Sequence, residues 1–176
     1  MTNPSARDVL QNLTRTIPDF PEPGVQFKDL TPVLADAAAF GVLADALATV
    51  AGVDYDIVAG IEARGFALAA AVAARHGSGL LLVRKAGKLP GPRIAESYAL
   101  EYGEATLEVH TDQVPAGSRI LVVDDVLATG GTLAASHRLI ERAGWQVAAT
   151  AVALEIPALG GRAKLAGRAV HALLEV

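Results

Sequence analysis

Four consecutive apolar residues, Ile120-Leu121-Val122-Val123, run without a polar break and end at two acids, Asp124 and Asp125. A short run of this kind suits a strand buried on both faces. Such strands belong to parallel sheets covered by helices, so the run argues for an α/β fold before anything else is read. The residues Ala128-Thr129-Gly130-Gly131-Thr132 that come soon after are small, and Leu133, Leu139 and Ile140 then recur at helical spacing. The stretch from Arg119 to Gly144 therefore reads as strand, acids, small-residue loop, and a helix beginning near Thr132.

That order makes an anion site. The first N–H groups of a helix lack internal partners, and the helix dipole adds about +0.5 charge there. Two glycines let the backbone close around a phosphate, and Thr129 and Thr132 add hydroxyl donors. The carboxylates of Asp124 and Asp125 repel a phosphate, but they suit a sugar diol or a magnesium ion held beside it. Because neighbouring strand residues point to opposite faces, one acid is expected to meet the ligand and the other to orient groups behind it. The plainer alternative is a βα turn with a capping threonine and a surface acid. Two acids on the buried side of a strand end make that alternative costly. There is no G-x-x-x-x-G-K-[ST] and no G-x-G-x-x-G after a strand, so two common phosphate loops are excluded.

A second unit of the same kind lies upstream. Tyr55 to Ala59 reads as a buried strand, Gly60-Ile61-Glu62-Ala63-Arg64-Gly65 as a small-residue turn, and Phe66 to His76 as a helix. Arg64 beside free backbone donors suits a pyrophosphate, since a guanidinium fork matches phosphate oxygens. The bland alternative is a helix start with Arg64 in a surface ion pair. Both turns fall at the carboxyl ends of strands, where open α/β sheets bind ligands.

Between and around these units the chain alternates strand and helix. A short amphipathic helix covers Ser5 to Thr16. Pro18, Pro21, Pro23 and Pro32 make regular helix unlikely in the arm that follows, up to about residue 35. Within the arm, Val25 to Lys28 read as an extended edge of a pocket. Phe27 there can stack on a flat ring while backbone groups read the ring's rim. A helix spans Asp36 to Val50 and a strand Leu80 to Val83. Arg84, Lys85, Lys88 and Arg93 then mix with Gly87, Pro90, Gly91 and Pro92, the composition of a charged, mobile lid. Ser97 to Tyr102 and Thr106 to His110 form a hairpin. Val147 to Leu154 is a further strand, Leu159 to Leu165 a helical turn, and Ala169 to Val176 a closing strand. The four histidines have no partner at metal-ligand spacing and read as structural.

The 176 residues suffice for one domain, and nothing splits them. A net charge of −4 argues against general binding to nucleic acid or anionic membranes, so an anionic ligand must be held by local groups. With no cysteine, disulfides and thiolate metal sites are excluded. No apolar run suits a signal peptide or a membrane span, which fits a cytoplasmic protein.

The central loop resembles the ribose-5-phosphate loop of type I phosphoribosyltransferases, which bind phosphoribosyl pyrophosphate (PRPP). Across nearly the whole chain the segments PDFPEPGVQFKDLTPVL, GIEARGF, VRKAGKLPG, SYALEYG, ILVVDDVLATGGT and LGGRAKL are similar, in order and spacing, to the adenine-specific members of that family. The resemblance implies a central parallel sheet flanked by helices, with a small hood and a lid or hairpin over residues 84–110, all in one domain of residues 1–176.

It implies that Asp124 and Asp125 meet the ribose hydroxyls and that Ala128 to Thr132 wrap the 5-phosphate. Glu62, Ala63 and Arg84 join Arg64 at PRPP, with a cis peptide bond at Glu62–Ala63. Val25, Phe27, Lys28 and Val126 hold the base, Phe27 and Val126 sandwiching it. Arg64 and Lys88 stabilise the leaving charge, and Glu101 manages a proton on the base. Magnesium is implied as cofactor, held by Asp124 and Asp125 mostly through substrate and water. The implied partners are adenine and PRPP, giving AMP and pyrophosphate, within a homodimer. Where relatives that use 6-oxopurines typically carry an acid, this chain has Ala128. It also departs from the pattern with Val126 for a common leucine and Lys28 for a common arginine. The alternatives are a phosphoribosyltransferase for another purine and a non-catalytic PRPP-binding regulator.

Overall fold

The computed structural model describes residues 4–99 and 103–176. Its helices are α1 (Ala6–Leu13), α2 (Thr31–Ala35), α3 (Ala37–Thr49), α4 (Arg64–His76) and α5 (Gly131–Arg142). Its strands are β1 (Arg15–Pro18), β2 (Gln26–Asp29), β3 (Ile57–Ile61), β4 (Gly79–Lys85), β5 (Arg93–Ala99), β6 (Glu104–His110), β7 (Arg119–Leu127), β8 (Gln146–Glu155) and β9 (Val170–Glu175). Seven strands form one sheet in the order β5-β6-β4-β3-β7-β8-β9, and β1 pairs with β2 in a small separate ribbon.

The expected parallel sheet is present as a run of five strands from β4 to β9. The sheet as a whole is mixed, because β6 joins β4 antiparallel and β5 folds back on β6. The β5–β6 hairpin is the expected one. Its first strand begins at Arg93, earlier than the sequence suggests, because Arg93 already pairs with His110.

β7 shows why an unbroken apolar run was required. Leu121 and Val123 join the core under α1, α3 and α4, with Leu43, Leu47, Leu68 and Val72. Ile120 and Val122 join the opposite core, with Leu133, Leu139 and Ile140 of α5. Alternate residues of one strand thus seal two layers.

Some boundaries differ from expectation, each for a local reason. α1 stops at Leu13 and not Thr16, since Arg15 onward pairs with β2. Its start is a capping box, with Asp8 N–H donating to Ser5 Oγ and Ser5 N–H to Asp8. α2 is a single short helix inside the proline-rich arm, with Pro32 in its first turn where a missing N–H costs nothing. β3 runs to Ile61, not Ala59. A side chain at Gly60 would meet Ala69 Cβ and Gly65 O, each at 2.7 Å, so the glycine serves close approach within a strand. α4 starts at Arg64, two residues before the expected Phe66.

Candidate active site

The sheet reverses its winding between β3 and β7. From β3 the next parallel strand in sequence, β4, lies on one side, and β7 lies on the other. Two adjacent strands whose connections leave in opposite directions open a crevice at their carboxyl ends. The two turns singled out by sequence follow these two strands.

Helix α4 is drawn tightly onto β7. A Cβ at Gly65 would lie 2.7 Å from Asp124 Oδ1 and 2.9 Å from the Val123 carbonyl. This contact brings Arg64 to the acids. Arg64 Nε lies 2.6 Å from Asp125 Oδ2, and its guanidinium sits over the Phe27 ring, 4.9 Å from the centroid. Asp125 is buried, whereas Asp124 is part-exposed where it lines the cavity but otherwise lies deep among protein atoms. Asp124 Oδ1 accepts a bond of 2.9 Å from the Asp125 N–H. Burial, reinforced by the adjacent Asp125 charge, holds the Asp124 carboxyl well above the ordinary aspartate range.

The second turn is shaped by backbone packing. Gly130 takes φ +75°, and Gly161 stands directly behind it. A Cβ on Gly161 would overlap the Ala128 carbonyl and come within 2.8 Å of Gly130 N. The N–H groups of Gly131, Thr132 and Leu133 precede the bond from Ala134 N–H to Gly130 C=O at 3.0 Å, which opens the helical ladder of α5.

Both turns open into one cavity of about 420 Å³. Glu62, Ala63 and Arg64 line it from the first turn, and Ala128 to Thr132 from the second. Asp124, Asp125 and Val126 form its floor. The structure thus brings together most of the residues singled out at sequence level. Both acids line this same cavity. The peptide bond Glu62–Ala63 is cis, as is Phe20–Pro21.

Other residues stand apart from the cavity wall. Lys88 Nζ lies 2.5 Å from Glu62 Oε1, and Arg84 Nε lies 3.4 Å from Glu62 Oε2. Lys85 N–H adds a third bond to Glu62 at 3.1 Å, and these bonds, Lys88 first, lower the Glu62 pKa. Phe27 is not among the residues lining the cavity; its ring lies under the Arg64 guanidinium and meets Phe20 at 5.1 Å, edge to face. Val25 N–H donates to the Glu22 carbonyl, and the Val25 carbonyl accepts from Phe20 N–H. Lys28 Nζ bonds Thr16 Oγ1 at 3.1 Å. Glu101 lies outside the described residues.

Some cavity-side residues were given no place in the site by the sequence reading. Lys85 and Tyr98 line the cavity, and Gly161 backs its loop. Lys85 was visible only as one charge in a basic run. Gly161 sits in the LGGRAKL segment, whose place in space no local pattern gives. Among the described residues no cluster of three His, Asp or Glu side chains forms a ready metal cage, and no helix is long and apolar enough to cross a membrane.

With that geometry in view, the relatives can be compared. Residues 35–167 match the family model of the phosphoribosyl transferase domain. An adenine phosphoribosyltransferase of Clavibacter sepedonicus is 59% identical over 98% of this chain and 90% of its own. The crystal structure of adenine phosphoribosyltransferase from Thermoanaerobacter pseudethanolicus superposes with a TM-score of 0.92 at 44% identity, covering 97% of this chain and 99% of that one. The Saccharomyces cerevisiae enzyme, solved with an imino-altritol bisphosphate and adenine, gives 0.91 at 34% identity over 96% and 98%.

Proposed function

The chain belongs to the phosphoribosyl transferase domain family and, within it, to the adenine phosphoribosyltransferases; from that membership and the cavity we propose how its residues act. The reaction joins N9 of adenine to C1 of PRPP as the bond from C1 to pyrophosphate breaks, giving AMP and pyrophosphate. The observation that carries the reading is the single cavity shared by Arg64 and the Ala128–Thr132 loop. A donor with a phosphate at one end and a pyrophosphate at the other needs two anion cradles on one rim.

The 5-phosphate occupies the Ala128–Thr132 loop, where free N–H groups and two hydroxyls meet it without a fixed charge. The ribose diol lies over Asp124 and Asp125. A cationic partner suits this acid pair, because Asp124 lies deep among protein atoms beside a second carboxylate, and both facts disfavour its charged form. Two carboxylates alone make an incomplete cage, so a magnesium ion would share them with oxygens of the substrate and water. When bound, that ion supplies charge neutralisation for the leaving pyrophosphate.

Arg64 leaves Asp125 to take a pyrophosphate oxygen. Lys88 and Arg84 do the same from Glu62, an exchange that requires the lid segment between β4 and β5 to move. The same step uncovers the Phe27 face for the purine, with Val126 opposite. Glu101 holds or moves the proton on the imidazole side of the base.

A panel of adenine, hypoxanthine and guanine with PRPP tests the reading. Adenine is expected to turn over far faster, and a preference for hypoxanthine would remove the base assignment. In the same assay Glu101→Gln is expected to lower kcat by about a hundredfold or more while PRPP affinity stays close to normal. The implied homodimer has support in β4. Leu80 and Leu82 are 40% and 38% exposed on one face of a strand inside the sheet, while Leu81 and Val83 are buried. Sedimentation velocity at micromolar concentration tests it, and a single-copy mass counts against it.

A further inference from the structure

The hydroxyl of Tyr98 lies 3.1 Å from Thr132 Oγ1, bridging β5 to the first turn of α5 across 34 residues. The aromatic ring packs beside Gly131, where an added Cβ would meet Tyr98 Cδ2 at 3.5 Å. It also stands between two spaces. One is the cavity already described, and the other is a groove that shares Thr129, Gly131 and Thr132 with it and reaches Leu159 and Lys164. β5 is fixed in this position by a second anchor two residues earlier on the same face. Glu96 pairs with Arg138 Nε at 2.6 Å and with Arg142 Nη1 at 2.5 Å, and Arg142 also bonds the Ala95 carbonyl at 2.9 Å.

We propose that Tyr98 is a positioning residue for the 5-phosphate, setting the direction of the Thr132 hydroxyl through the Tyr98–Thr132 contact. The proposal rests on the assignment of the Ala128–Thr132 loop to that phosphate. A threonine hydroxyl has one proton to give and two lone pairs to receive. A phosphate oxygen at the loop only accepts, so Thr132 must give its proton to the ligand. The contact with Tyr98 then has one workable polarity: the phenol donates and Thr132 Oγ1 accepts. That polarity points the threonine proton away from Tyr98 and toward the loop, and a chain of two aligned hydroxyls strengthens its last bond. Without the phenol the Thr132 rotor is free, and its proton has other acceptors to visit. The Glu96 clamp matters because a latch of this kind needs a fixed support.

Calorimetry on the full-length protein, with ribose 5-phosphate and with pyrophosphate as separate probes, tests this. Tyr98→Phe keeps the ring against Gly131 and removes one oxygen. It is expected to weaken ribose 5-phosphate about fivefold and leave pyrophosphate unchanged. In steady state the PRPP KM should rise by a similar factor with kcat nearly constant. Thr132→Val should weaken ribose 5-phosphate on its own, and adding Tyr98→Phe to it should cost nothing more. Equal affinity in Tyr98→Phe, equal loss for both probes, or full additivity with Thr132→Val would each overturn the proposal. If Thr132→Val itself leaves ribose 5-phosphate binding intact, Thr132 gives the ligand no proton and the proposal falls, whereas the loop assignment beneath it fails only if Gly161→Ala also leaves that binding intact.

Discussion

Both turns at the crevice rest on close glycine packing, but they differ in what is added to it. The turn after β3 adds charge to the packing of Gly60 and Gly65: Glu62 is gripped by Lys88, Arg84 and the Lys85 N–H, and Arg64 rests between Asp125 and Phe27. The turn after β7 is held by shape, with Gly130 and Gly161 in backbone contact and no ion pair among the described residues of the loop. A loop shaped by backbone packing is ready before its ligand arrives. A loop held by internal ion pairs must exchange them for those of the ligand, so it acts as a switch. The molecule therefore presents a preformed seat for the group that stays on the sugar and a convertible one for the group that leaves.

Breaking the shaped turn should have the largest effect. Gly161→Ala forces a carbon into the Ala128 carbonyl, and a displacement of about 1 Å in a positioned group costs on the order of a hundredfold in turnover. Ribose 5-phosphate binding should be lost while pyrophosphate binding survives; retention of both, measured by calorimetry, would mean that shape does not hold this turn. Next, Arg64→Ala should weaken pyrophosphate about tenfold to a hundredfold with little change for ribose 5-phosphate, the reverse pattern.

The helix behind the shaped turn carries its own pH dependence. Burial, with the nearby Arg168 charge, lowers the His137 pKa to about 4, and its Nε2 lies 2.7 Å from Thr150 Oγ1. The unfolded chain binds this proton near pH 6.5 and the folded chain only near 4. Stability is therefore whole above pH 6.5 and falls as the pH drops toward 4, by about 2 kcal/mol at pH 5 from this group. Urea melts at pH 7 and pH 5 check it: His137→Gln should show a smaller drop between the two than the parent, and an identical drop would clear His137. The smallest effect is expected from Glu62→Gln, which removes the internal competitor for Lys88 and Arg84. Pyrophosphate should bind about threefold to tenfold more tightly and leave more slowly. Weaker binding in that variant would show Glu62 to be a partner of the ligand and not its rival.

The shaped turn was the more legible of the two in sequence, because its parts are contiguous: apolar strand, acids, glycines, helix. The charged turn was half legible. Arg64 was marked, yet the sequence left open whether it faced a ligand or an ion pair, and in this structure the ion pair with Asp125 is what forms. Lys88 is legible only as one cation of a basic lid, and its pairing with Glu62 shows only in the structure. Phe27 is legible as a ring able to stack, and its present cover by the Arg64 guanidinium is not.

By itself the sequence determined what depends on neighbours along the chain. The double-sided apolar run, the capping box at Ser5 and the glycine-rich helix starts are set by periodicity and by local backbone chemistry, which act over a few residues. Tertiary structure alone decided which distant groups share a wall: Arg64 with Asp125, Glu62 with Lys88, Tyr98 with Thr132, and Gly161 behind Ala128. Those partnerships follow from the strand order β5-β6-β4-β3-β7-β8, from how β5 packs on α5, and from where long side chains can reach. Strand order is fixed by the packing of two cores at once, a sum over the whole chain that no single segment contains.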